Sequence, residues 1–186
     1  MVENAIAKSP LPDAQVLPAG SRFGLLVTED DCALETLAPC AAPVTVMGAI
    51  ATASRSPLAV GAPAREFAVR AVADATERVA TRYRVPAQSV RGDDWDAALV
   101  AWSRSCSLDA IVTAYAPVGP VAERLARARR ALSGQGVELI EVRRRYDDCT
   151  WPHATRGYFR LKSRIPELLE QLGLTGSGKQ SRRASG

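Results

Sequence analysis

The sequence predicts an α/β fold: a doubly wound, mainly parallel sheet of Rossmann-like type with helices on both faces. Three observations point there. Two apolar runs near the amino terminus, Phe23-Gly-Leu-Leu-Val-Thr28 and Val44-Thr-Val-Met-Gly-Ala-Ile50, are too short for helices and apolar on both alternating faces, as strands buried on two sides must be. Strand and amphipathic helix patterns then alternate from Pro63 to Val142. No hairpin turn joins any two strands, so each strand needs a crossover and parallel pairing follows.

The elements justify themselves in order. Residues 1–20 contain Pro10, Pro12 and Pro18 and read as irregular. The first strand runs into the acidic cluster Glu29, Asp30, Asp31, and about one or two helical turns around Ala33 to Leu37 precede the second strand. After a loop rich in Ser, Pro and Gly, Pro63 opens a long helix whose Phe67, Ala71, Ala75, Val79 and Tyr83 recur every four residues and should face the sheet. Asp93-Asp94 caps a second helix in which Trp95, Ala98, Leu99 and Trp102 share one stripe, so both tryptophans are expected in the core.

A third strand, Leu108 to Thr113, turns through Tyr115-Ala-Pro-Val-Gly-Pro120 into a helix with Val121, Leu125, Ala128 and Leu132 inward. Gly134 and Gly136 stop that helix, and Val137 to Val142 alternates as a fourth strand. A last helix is expected around Ser163 to Leu172, with Pro166 tolerated in its first turn. One domain over residues 21–174 fits 186 residues with 47% hydrophobic content, and residues 175–186 read as a disordered basic tail.

Composition excludes little. A net charge of +4 permits nucleic-acid binding without demanding it. The four cysteines form no CxxC pair, and with one histidine they make no common structural zinc set, so reduced thiols are expected. The amino terminus has neither a signal-peptide nor a membrane-span pattern, which implies a cytoplasmic protein with no membrane partner.

Candidate sites follow from position. Gly173 to Lys179 matches GxxxxGK, but Gln180 stands where Ser or Thr would hold magnesium, and a helix precedes the motif where a phosphate loop needs a strand. Thr28, Glu29 and Asp30 close the first strand, and Tyr115, Pro117 and Gly119 follow the third; both places are the carboxyl edge where open parallel sheets receive ligands. Three carboxylates there repel a pyrophosphate, and helix capping competes for them. His153 is the sole histidine, set among Trp151, Arg156, Tyr158 and Phe159 without a nucleophile motif, so it shapes its loop or moves a proton.

From Leu108 to Leu172 the order of strand, Tyr115-Ala-Pro117 turn, helix, strand and the aromatic, basic segment containing Gly157-Tyr-Phe159 resembles the amino-terminal α/β domain of the DNA photolyase and cryptochrome family. The likeness extends over Ser21 to Leu172, although Thr28-Glu-Asp-Asp31 replaces the family's arginine-rich motif after the first strand. The resemblance implies an antenna chromophore, a pterin or flavin, held by Thr28, Glu29, Asp30, Tyr115, Pro117 and Gly119. It implies FAD only through a separate helical domain or partner protein, met by Trp151, His153, Arg156, Tyr158 and Phe159. DNA would be met indirectly or weakly, in light-dependent repair or signalling, and no catalytic residue is implied because the family's helical domain would begin where this chain ends. Two other readings stay open: an adenine-nucleotide-binding doubly wound domain, and an interaction scaffold with no ligand.

Overall fold

The computed structural model describes residues 12–37, 41–90, 94–156 and 158–175, with the backbone alone at 155 and 156. It divides into two compact units, Met1–Val142 and Arg143–Gly186. The first unit holds a five-stranded, all-parallel sheet made of β1 (Phe23–Thr28), β2 (Thr45–Ala49), β3 (Ala87–Ser89), β4 (Ala110–Ala114) and β5 (Glu138–Val142), in the order β3-β2-β1-β4-β5. Three helices pack on it: α1 (Ala62–Tyr83), α2 (Trp95–Ser105) and α3 (Pro120–Ser133). The fold is the doubly wound α/β type expected.

β1 lies at the centre, and all six of its residues are buried. Phe23, Leu25 and Val27 point to the face covered by Val72, Ala75 and Val79 of α1, while Leu26 points to the face built from Trp95, Leu99 and Trp102 of α2 and Leu125 and Leu132 of α3. Burying a large apolar side chain is worth about 1.5–3 kcal/mol each, so the strand with no polar face also has the most to contribute. The chain leaves β1 through a 3-10 turn at Leu34–Thr36, builds β2, α1 and β3 on one side, then crosses to the other face with α2 to start β4 beside β1.

α2 is fixed by unusually close contact. An atom placed at the missing Cβ of Gly24 would lie 2.6 Å from the Trp102 ring, so the indole uses the space that any side chain there would fill. Trp102 Nε1–H donates to Thr45 Oγ at 3.3 Å, and that hydroxyl donates to Pro86 C=O at 3.2 Å. The relay satisfies two buried polar groups and ties α2, β2 and the entry to β3 together. As expected, both tryptophans are core residues, and Val121, Leu125, Ala128 and Leu132 of α3 are all buried.

Two expectations need correction. The inward face of α1 is Ala68, Val72, Ala75, Thr76 and Val79, and Phe67 is 74% exposed. A strict four-residue repeat advances about 40° per step against a period of 3.6, so the stripe from Phe67 to Tyr83 drifts by about 160° and cannot stay on one face. The sheet also has a strand the sequence pattern did not reveal, β3, whose Ala87, Gln88 and Ser89 are all exposed and carry no hydrophobic alternation.

Asp94 caps α2 as expected, accepting the Ala97 N–H at 3.1 Å; Asp93 lies outside the described residues, as do Cys40 and residues 176–186 of the GxxxxGK stretch and tail. In the second unit, residues 145–171 are mostly helical: α4 (Arg145–Thr150), a 3-10 segment (Trp151–Arg156), α5 (Tyr158–Lys162) and α6 (Ile165–Gln171), with Pro166 in the first turn of α6. No described helix is long and apolar enough to cross a membrane.

Because the Trp102 ring is rigid and buried, Gly24→Ala is expected to lower stability by about 1–3 kcal/mol through overpacking. Urea denaturation of the variant beside the parent protein checks this.

Candidate functional site

The carboxyl edge of the sheet opens between β1 and β4. The β1–β2 ladder continues to Thr28–Ala49 and the β4–β5 ladder to Ala114–Val142, but the β1–β4 ladder stops at Leu25–Val112. Beyond that pair Thr113 Oγ donates to Leu26 C=O at 2.8 Å, a side-chain bridge in place of the next ladder bond. β1 is also where the strand order reverses, with β2 following on one side and β4 on the other. Ligands of open parallel sheets bind at such a point because diverging strands and their loops leave a crevice.

The acidic cluster at the end of β1 is tied up by its neighbours. Glu29 has a nearly buried side chain whose carboxylate accepts the Ala51 N–H at 2.8 and 2.9 Å and the Thr52 hydroxyl at 3.0 Å, which anchors the chain leaving β2. Asp30 pairs with Arg55 at 2.7 Å, and Asp31 accepts the Ala33 N–H at 2.9 Å ahead of the 3-10 turn. Thr28 is buried, and its carbonyl accepts the Asp31 N–H at 3.2 Å. Neither 3-10 segment has a side-chain cap: Glu29 fastens the chain after β2, and Asp31 closes a local turn.

On the β4 side, Tyr115 is half-buried and its N–H donates to Val142 C=O at 2.9 Å. The Ala116 N–H donates to Glu141 at 3.2 Å, and Glu141 in turn pairs with Arg129 at 2.7 Å. Pro117 and Val118 are exposed, and Gly119 takes φ +155°, a conformation that favours glycine, at the N-cap of α3. The first-turn amide of half-buried Ala122 has no intrahelical acceptor, whereas Val121 is wholly buried in the core. Of the six residues expected at this edge, Thr28 ends β1 and the other five sit in the loops after β1 and β4, around a rim of mixed character: an acidic side held by Arg55 and backbone amides, and an apolar side at Pro117 and Val118.

Sequence reading missed three residues that shape the edge. Thr113 and Glu141 looked like ordinary strand positions, and Arg55 lay in a loop with no motif. The one available signal was polarity at strand ends, where Thr113 and Glu141 interrupt apolar runs.

The aromatic segment belongs to the second unit and is described by itself. Trp151 and His153 are half-buried, and His153 lines a cavity of about 350 Å³ with Pro152, Arg160, Ser163 and Arg164. Tyr158 and Phe159 are 63% and 84% exposed and pack edge to face, with ring centroids 5.7 Å apart. The Arg156 side chain and Gly157 lie outside the described residues. Ser163 is the one hydroxyl in that lining, and it donates to the Arg160 carbonyl at 2.9 Å.

Compared with family models, curated proteins and solved structures, the chain matches none. Cys32, Cys106 and Cys149 are free thiols, and no group of three potential metal ligands is gathered among the described residues.

Two outcomes test this geometry. Glu29→Gln loses the charge and part of the accepting capacity that holds Ala51 and Thr52, and should lower stability by about 1–2 kcal/mol in urea denaturation. Burial, then the neighbouring Asp31 carboxylate, pushes the Cys32 thiol above its ordinary value of 9.0. The unfolded thiol therefore ionises first, so the stability Cys32 contributes is present below that value and lost as pH rises past it. The parent's urea midpoint should fall more between pH 8 and pH 10 than that of Cys32→Ser.

Proposed function

We propose that this chain is a photolyase- and cryptochrome-related α/β domain that binds an antenna-type chromophore, a pterin or flavin, at the β1/β4 carboxyl edge and is not catalytic by itself. The observation that carries the reading is the early end of the β1–β4 ladder at Leu25–Val112 while both flanking ladders continue, which opens the sheet at its switch point. Val118 and Pro117 offer an apolar surface to a flat ring, and the half-buried Ala122 offers an amide donor to a ring carbonyl or nitrogen. Thr28 ends β1 and Tyr115 follows the end of β4, with Glu29 and Asp30 in the loop after β1.

The same rim weighs against the adenine-nucleotide alternative. Glu29 and Asp30 stand where a doubly wound nucleotide site receives phosphates, and β1 leads into a three-residue 3-10 turn with no glycine-rich loop. A ring without phosphate meets no such repulsion.

A second reading concerns the other unit. Large exposed aromatics on one short helix are unusual for a solvated surface, and Tyr158 with Phe159 suits docking of a helical FAD-domain protein, with contact to DNA only through that partner. Within this reading the roles belong to light-dependent repair or signalling.

The test is titration of the purified chain with riboflavin, a simple pterin and ATP, followed by ligand fluorescence and thermal shift. Binding at micromolar pterin or flavin, weakened at least tenfold in Val118→Asp, is expected, with no response to millimolar ATP. Absence of both pterin and flavin binding at millimolar concentration would overturn the chromophore reading.

A further inference from the structure

The sheet has two edges, and among the described residues only one of them is covered. Along β5, Leu139 and Glu141 point their backbone groups outward, because Glu138 N–H donates to Asp109 C=O and Val142 C=O accepts Tyr115 N–H on the β4 side. Arg129 donates to the Leu139 carbonyl, and the Gln15 side-chain oxygen accepts the Glu141 N–H at 2.7 Å. That edge is closed by two side chains, one of them from the amino-terminal segment.

The β3 edge has no such cover. Pro86 C=O accepts Val46 N–H at 3.0 Å and Val90 N–H donates to Gly48 C=O at 2.8 Å, so the alternation of a parallel ladder turns Gln88 toward β2 and Ala87 and Ser89 outward. Among the described residues the outward N–H and C=O groups of Ala87 and Ser89 have no hydrogen-bond partner. A groove of about 810 Å³ runs along this edge, walled on the other side by Ala73, Glu77 and Ala80 of α1 and by its C-cap Arg84. Neither Glu77 nor Arg84 has an ion-pair partner among the described residues. An exposed strand edge is a template for another chain, and proteins normally blunt or cover it.

We propose that the β3 edge is a self-association surface, where a second copy of this chain pairs its own β3 antiparallel about a two-fold axis through Gln88. In that register Ala87 faces Ser89 of the other copy, twice over. Antiparallel pairs of this kind exchange both hydrogen bonds, so all eight outward groups on the two strands are satisfied by four bonds. Because α1 lies across β2 and β3, the two copies of α1 come to about two strand spacings from each other, roughly 10 Å, which is a helix-packing distance. Ala73 and Ala80 permit that approach, and the antiparallel arrangement brings each Glu77 toward the other copy's Arg84.

A second copy suits this edge better than an unrelated extended peptide. Three residues give a peptide too few main-chain bonds to hold it, whereas a copy also brings a helix to bury beside α1. A groove carrying both an unpaired acid and an unpaired base is complementary to itself across a two-fold axis.

Sedimentation equilibrium of the full chain over a micromolar to submillimolar range tests the proposal. The parent is expected to form a reversible dimer. Ala87→Pro removes an outward N–H that the β2–β3 ladder does not use, so its circular dichroism and melting should match the parent monomer while its dimer dissociation constant rises at least tenfold. Glu77→Arg should weaken the dimer comparably, and Glu77→Arg with Arg84→Glu should restore it. A parent that stays monomeric throughout the range would overturn the proposal, as would a dimer of unchanged affinity in both single variants.

Discussion

The contact between Gly24 and the Trp102 ring sets the geometry from which the rest of this unit follows. β1 is the only strand with a partner of early chain origin on one side and of late chain origin on the other, and all its residues are buried. Placing a tryptophan directly on its backbone requires glycine at that one position, and the indole N–H then needs an acceptor in the core, which Thr45 supplies. That bond and the onward bond to Pro86 hold β2 and the start of β3 in register with α2. A slip of one residue in β1 would put Phe23 or Leu25 under the ring, so the contact specifies register as well as burial.

The opening at the carboxyl edge is a consequence of the same arrangement. β1 and β4 begin together under α2, with Arg22 C=O accepting the Asp109 N–H at 2.7 Å, and then separate after three paired residues. Strand twist spreads neighbours that are pinned at one end, and Thr113 bridges the widening gap with its hydroxyl. The acidic loop after β1 is drawn toward β2 by Ala51, Thr52 and Arg55, away from the loop after β4, which is fastened to β5 through Glu141. Each half of the sheet thus secures its own loop, and the line between the halves is the crevice.

Much of this was legible in residues with strong local signals. The fully apolar β1 and β2, the capped stripe holding both tryptophans and the inward face of α3 all announce themselves by period and punctuation. β3 was not legible because its three residues are exposed and its pairing is decided by β2, a neighbour distant in sequence. The face of α1 was misjudged because alanine lies on both sides of that helix, so the large residues Phe67 and Tyr83 suggested a stripe that the helical period does not sustain. At the candidate site, the strand ends could be located from sequence, but the hydrogen bonds that engage Glu29 and the bridge from Thr113 depend on cross-strand geometry. The segment around His153 drew attention as irregular chain with a possible proton-transfer role, and most of it proves to be short helices presenting two aromatics to solvent.

The central claim is that the β1/β4 edge is where this chain receives a planar ligand. Hydrogen exchange with and without saturating riboflavin or pterin reads that edge directly, because bound ligand slows opening of the backbone it touches. Slowed exchange is expected only in peptides covering residues 26–31 and 114–122, with the β3 edge and the 158–171 helices unchanged. Slowing elsewhere with none in these two segments would contradict it.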